Sequence, residues 1–224
     1  MVGEDRIRTL NWIAVAVFLA VLVSGCSPSM LEVDNEQGRL DRAAPLIQGS
    51  HTVGQTFVSH YPRLSAVEVL LVVYPDEGQD ARAPRRLTFH LRSDPRSPTD
   101  LATVAVDATS LEHNAPHRFT FAPQPDSEGR AYYFFLEGTE GNKVTVWYNT
   151  LNAYGQGAMY VDGRAQEGDL DFKTYYDYDV GLMARDLGRG LASHGGLILP
   201  LLAMFTLPGY VLHSLLLPHE EPEP

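Results

Sequence analysis

From about Val53 onward, apolar residues recur at every second position in short runs, and this period constrains the fold before composition is consulted. Period two places successive side chains on opposite faces of a strand, whereas a helix needs apolar residues at every third or fourth position. The runs are LSAVEVLLVVY (64–74), LTFHLR (87–92), LATVAV (101–106), HRFTF (117–121), AYYFFLE (131–137), KVTVWYN (143–149), AMYV (158–161) and LDFKTYYDY (170–178). Each is rich in β-branched or aromatic side chains. Stretches dense in Pro, Gly, Asp and Ser separate most of them: PDEGQDARAP, SDPRSP, PQPDSEG, EGTEGN and DGRAQEGD. Eight or nine strands with no helical window between them predict an all-β sandwich or barrel and exclude an α/β fold.

Alternation also sorts faces. Phe89 and Leu91 oppose Thr88, His90 and Arg92; Tyr132, Phe134 and Leu136 oppose Tyr133, Phe135 and Glu137; Val144, Val146 and Tyr148 oppose Thr145, Trp147 and Asn149. The first set of each is core. The second sets mix aromatic with polar residues, and Tyr133, Phe135, Thr145, Trp147, Asn149 and Tyr175 form a candidate ligand or partner face. Flat rings stack on the apolar face of a sugar ring while Asn and Thr bond its hydroxyls. The competing reading, that these rings pack on loops or a partner or close the far side of the core, carries more weight.

The two ends are more apolar. The N-terminus has Arg6 and Arg8 before a run from Trp12 to Val23, then Ser24-Gly25-Cys26. A run this short fits the ~7–15-residue core of a secretory signal. It falls short of the ~20 residues that span a bilayer. Val23-Ser24-Gly25-Cys26 resembles the bacterial lipoprotein box, which implies lipid attachment at Cys26; a plain membrane helix with an inert thiol is the alternative. The single cysteine forms no internal disulfide, so the domain rests on its core. Near the other end, Leu197–Leu217 holds no charge and is long enough to span a bilayer. Pro200, Pro208, Gly209 and His213 within it are candidate helix-contact positions, since small or kinked residues permit close approach.

These features divide the chain into a signal or anchor (1–26), a tether (27–50), a β domain (51–180), a juxtamembrane segment (181–195), a span (196–217) and an acidic tail (218–224). Export places the β domain on the extracytoplasmic side of the cytoplasmic membrane. The positive-inside tendency of Arg185 and Arg189 argues the other way. Long domains translocate largely regardless of charge, so the export signal prevails.

A formal net charge of −11, from 17 basic and 28 acidic residues, argues against a nucleic-acid partner. Pro116 separates His113 from His117 beside Glu112, so a helical metal pair is disfavoured. The acidic stretch 162–179 lacks the EF-hand spacing and reads as a solvated edge strand. No dinucleotide fingerprint, phosphate loop, nucleophile elbow or zincin motif occurs, so no cofactor is implied and an enzyme is the minority reading. Paired carboxylates of the glycosidase type, distant in sequence, would escape this search.

The ordered string GQTFV (54–58), LSAVEVLLVVY (64–74), LTFHLR (87–92), DLATVAVDATSL (100–111), APHRFTFAPQPDSEGRAYYFFLEG (115–138) and NKVTVWYN (142–149) resembles the extracytoplasmic jelly-roll domains of polytopic bacterial membrane proteins. Those domains often sit beside glycosyltransferase-type membrane domains. The ARDLGRGL to LPGY passage (184–210) is similar to the segment leading from such a domain into a membrane helix. The resemblance implies a jelly-roll-like β-sandwich related to carbohydrate-binding and galactose-binding-like folds. The chain departs from it in having one span and no large membrane domain, so transferase activity is not carried over.

The expectation is a non-catalytic accessory protein held by membrane lipid and docked on a larger integral membrane protein or complex. The alternatives are a carbohydrate-binding module for envelope polysaccharide and a glycan-active hydrolase or lyase.

Overall fold

The computed structural model describes residues 30–75, 85–179, 181–186 and 188–190. The chain divides into two compact units, residues 29–178 and the flanking residues 1–28 with 179–224. The larger unit is all-β. Its strands are β1 (Met30–Gln37), β2 (Arg42–Ala43), β3 (Thr52–Val58), β4 (Leu64–Val73), β5 (Arg86–Arg92), β6 (Ala102–Asp107), β7 (Ala115–Gln124), β8 (Ala131–Gly138), β9 (Val144–Asn149), β10 (Met159–Val161), β11 (Arg164–Gln166), β12 (Asp169–Leu170) and β13 (Phe172–Tyr178).

They form two antiparallel sheets, consistent with a β-sandwich. One has six strands in the order β11-β10-β3-β8-β5-β6; the other has seven, β1-β13-β4-β9-β12, with β2 on β9 and β7 on β4. Of the inward positions read from alternation, Phe89 and Leu91 on β5, Tyr132, Phe134 and Leu136 on β8, and Val144 and Val146 on β9 are buried, while Tyr148 is half-buried. Rings from both sheets meet between them. Phe89 of β5 stacks on Phe119 of β7 with centroids 5.0 Å apart, and Phe134 of β8 lies 5.8 Å from Phe172 of β13. Each such fully buried ring contributes about 1.5–3 kcal/mol relative to an exposed one, and offset or tilted rings at these distances are the favoured arrangements.

Residues 30–37, expected within a tether, are instead β1, paired along its length with β13. The alternating apolar signal is missing because the two buried positions are amides. The Asn35 side chain donates to the Val58 carbonyl and to Thr174 Oγ1, both at 2.9 Å, and accepts from the Tyr154 hydroxyl at 3.1 Å. Gln37 donates to the Leu170 carbonyl at 3.0 Å. A second expectation changes with this one. Residues 172–178, read as a solvated edge strand, lie inside the sheet between β1 and β4. Within DGRAQEGD, residues 164–166 are also a strand. Asp162 and Gly163, both at positive φ (50° and 72°), form the two-residue turn of the β10–β11 hairpin, the geometry that Asp-Gly favours.

In the smaller unit, residues 181–186 and 188–190 are helical, and the Leu182 amide donates to Asp179 Oδ1 at 2.9 Å, an N-terminal cap. No helix among the described residues is long and apolar enough to cross a membrane. The expected span 196–217, with Pro200, Pro208, Gly209 and His213, lies outside the described residues, as do Cys26 and the preceding apolar run.

Candidate functional site

The six residues of the expected ligand face do not share a surface. That face assumed that the consecutive strands β8 and β9 pair. The Gly138–Val144 connection instead carries the chain from the six-stranded sheet to the seven-stranded one. Tyr133 and Phe135 therefore lie on the outer side of one sheet, and Thr145, Trp147, Asn149 and Tyr175 on the outer side of the other.

Most of them are also covered. On the six-stranded sheet, Tyr133 and Phe135 stack on each other at 5.5 Å, Tyr160 meets Tyr133 edge-on, and His90 stacks on Phe135 at 4.5 Å. The Arg92 guanidinium sits 4.6 Å above the Phe135 ring. Asp100 fixes both side chains, accepting from Arg92 Nε at 2.5 Å and lying 2.8 Å from His90 Nδ1. Burial pushes the Tyr133 phenol up to about 12. These rings close the outer side of their sheet.

On the other sheet, Thr145 is fully buried, with its Oγ1 2.9 and 2.7 Å from the Ala44 and Pro45 carbonyl oxygens. Asn149 Oδ1 accepts from the Leu151 amide at 2.8 Å. Tyr175 lies under the Arg118 guanidinium, 4.0 Å away. Only Trp147 of the six is partly exposed; its indole N–H donates to Asn114 Oδ1 at 2.9 Å.

The arrangement with most chemical content was not visible in the sequence. A hollow of about 250 Å³ on the outer side of the seven-stranded sheet is lined by Glu36, Glu68, Leu70, Pro116, Asp171 and Lys173, among others. Register builds it: Glu36 of β1 faces Lys173 of β13, Lys173 faces Glu68 of β4, and Glu68 faces Arg118 of β7. Lys173 Nζ donates to Glu36 Oε1 at 2.9 Å, and Arg118 donates to Glu68 Oε2 through Nε at 3.0 Å and Nη2 at 2.8 Å.

Asp171 sits where the strand passes from β9 to β4. Its amide donates to the Trp147 carbonyl and its carbonyl accepts from Leu70. Burial raises its carboxyl to about 6; the Lys173 ammonium opposes that rise, and the Glu36 and Glu68 carboxylates add to it. A half-buried acid titrating near neutrality in a hollow, beside a second carboxylate, is the kind of group used for proton transfer. No local pattern pointed to it, since Glu36 stands on β1, Glu68 on β4 and Asp171 between β12 and β13, far apart in the chain.

The histidines singled out by sequence do not converge on a metal. The His113 ring lies 2.8 Å from the Val73 carbonyl, and His117 meets Phe119 edge-on at 4.8 Å, with burial lowering its pKa. No group of three or more His, Cys, Asp or Glu among the described residues is placed to hold a metal ion. Compared with known proteins, the chain matches no family model and no curated protein.

Proposed function

We propose that this protein is a non-catalytic, membrane-anchored accessory module on the extracytoplasmic side of the cytoplasmic membrane, docked on a larger integral membrane complex. One observation carries the reading: Met30 and Tyr178, the first and last residues of the β unit's sheet pairing, are direct register partners. The segments that continue to the apolar runs 12–23 and 197–217 therefore leave from one corner. Two anchors at one corner hold a domain against a membrane while its far loops stay free for a partner. The resemblance to jelly-roll domains of polytopic membrane proteins supports the same placement, and the acidic charge leaves anchoring to the hydrophobic ends.

The test is purification from native membranes in mild detergent, followed by mass spectrometry of the intact particle. A stoichiometric polytopic companion is expected, with a chain that begins at Cys26 and carries acyl groups. A solitary chain overturns the accessory reading, and an unmodified full-length mass overturns the lipoprotein one.

A second reading, a glycan-active hydrolase or lyase, draws on the hollow. There Asp171, protonated up to about pH 6, would serve as general acid with Glu68 beside Arg118 as its partner. It expects cleavage of an envelope polysaccharide at pH 5–7 that Asp171→Asn abolishes while the fold stays intact. A wild-type chain inactive on a broad polysaccharide panel removes it.

A further inference from the structure

We infer that the corner where β1 starts and β13 ends is seated in the head-group region of a neutral lipid bilayer, an inference that rests on the two-anchor reading above. The first four residues of β1 are exposed on both of its faces, unlike Asn35 and Gln37 further along the same strand. Met30 is 57% exposed, Leu31 37% and Val33 46%. Met30 shares a face with Tyr178, its register partner, while Leu31 and Val33 point to the other side, so apolar surface wraps around the free edge of the sheet. Tyr61, itself 39% exposed, extends the Met30 side: its ring stacks on Tyr176 at 4.3 Å, and Tyr176 meets Tyr178 edge-on. A cluster of this kind on a soluble surface marks a contact site. Tyrosines beside aliphatic side chains suit the membrane interface, where a ring is buried and its hydroxyl stays wet.

The chain itself argues for lipid as the occupant. Met30 stands four residues after Cys26 and seven after Val23. Fully extended, those segments reach about 14 and 25 Å. A lipid on Cys26, or a membrane helix ending at Val23, therefore keeps Met30 within one head-group layer or so of the surface. Charge selects the lipid class. The exposed half of β1 carries Glu32 and no cation, Asp177 pairs with Arg63, and Asp34 lies 3.0 Å from His60. Among the described residues of β1 and its neighbours at this corner, no cation stands without an acidic partner to draw anionic head groups, so the contact of the corner itself is apolar and insensitive to salt.

The full-length chain in phosphatidylcholine vesicles provides the test, with Trp12→Phe and Trp147→Phe removing the native indoles. A reporter is placed by Leu31→Trp, by Met30→Trp or, as a distant control, by Leu151→Trp, a 66% exposed site after β9. Lipid brominated near the top of the acyl chain should quench the indoles at 30 and 31 several-fold more than the control. The difference should persist in high salt and fail to grow when phosphatidylglycerol is added. Equal quenching at all three sites, with the chain still floating with the vesicles, overturns the seat and leaves the anchoring intact. A blue-shifted but unquenched indole at position 31 assigns the corner to a second copy of the chain and overturns it too. Failure to float overturns the anchoring reading and the seat with it.

Discussion

A methyl group at Gly54 has nowhere to go. It would overlap the Phe134 carbonyl oxygen and lie 2.8 Å from both Phe135 Cβ and a Tyr133 ring carbon. Gly54→Ala should therefore cost about 1–3 kcal/mol of stability, the usual range for overpacking, measured as a lower urea midpoint. Trp147→Phe should cost only ~0.5–1.5 kcal/mol, the net value of the hydrogen bond to Asn114. Asp171 makes a prediction about pH. Folded, it holds its proton up to about pH 6, whereas an unfolded Asp releases it near ~3.9. The folded chain thus binds more protons between these values, and stability falls as pH rises through them. Asp171→Asn should flatten that slope and be more stable than wild type above pH 6, by roughly 1 kcal/mol after discounting solvent screening. Urea melts from pH 4 to 8 check this. At this scale the sequence identified inward residues such as Phe89 and Val146. It could not say that outward rings such as Phe135 are covered, since their covers, His90 and Arg92, come from a different strand.

At the scale of elements, the alternating runs became strands, with ends displaced by a few residues. HRFTF, for example, lengthens at both ends into β7, which holds Pro116 where it pairs with Leu70. The failure is β1. Its place in the sheet depends on Asn35, whose hydrogen bonds reach β3, β13 and Tyr154, so they tie both sheets together. Asn35→Ala leaves Thr174 and the Tyr154 hydroxyl without that partner. It should cost on the order of 2–3 kcal/mol, the range for unsatisfying buried polar groups. Amide hydrogen exchange should quicken over 30–37 before it does over β4. Unchanged exchange there would show that backbone pairing with β13 alone holds the strand.

On the scale of the whole molecule, the adjacency of Met30 and Tyr178 permits a permutation. Joining residue 178 to residue 30 by a short Gly/Ser linker, and opening the exposed 93–99 loop, should give a unit within about 1–2 kcal/mol of the parent, as expected when termini lie close. Loss of the cooperative unfolding transition would argue that the flanking segments are needed for the fold. The sequence by itself determined the class of the β unit, its core rings and the two apolar runs outside it. Each of these is written in local periodicity or in the conformational preference of one or two residues. Tertiary structure alone decided which strands share a sheet, that β8 and β9 lie on opposite sides, and that Glu36, Glu68 and Asp171 meet in one hollow. Strand partnership depends on how distant segments jointly bury their apolar faces and satisfy their backbone polar groups, and no local pattern encodes that choice.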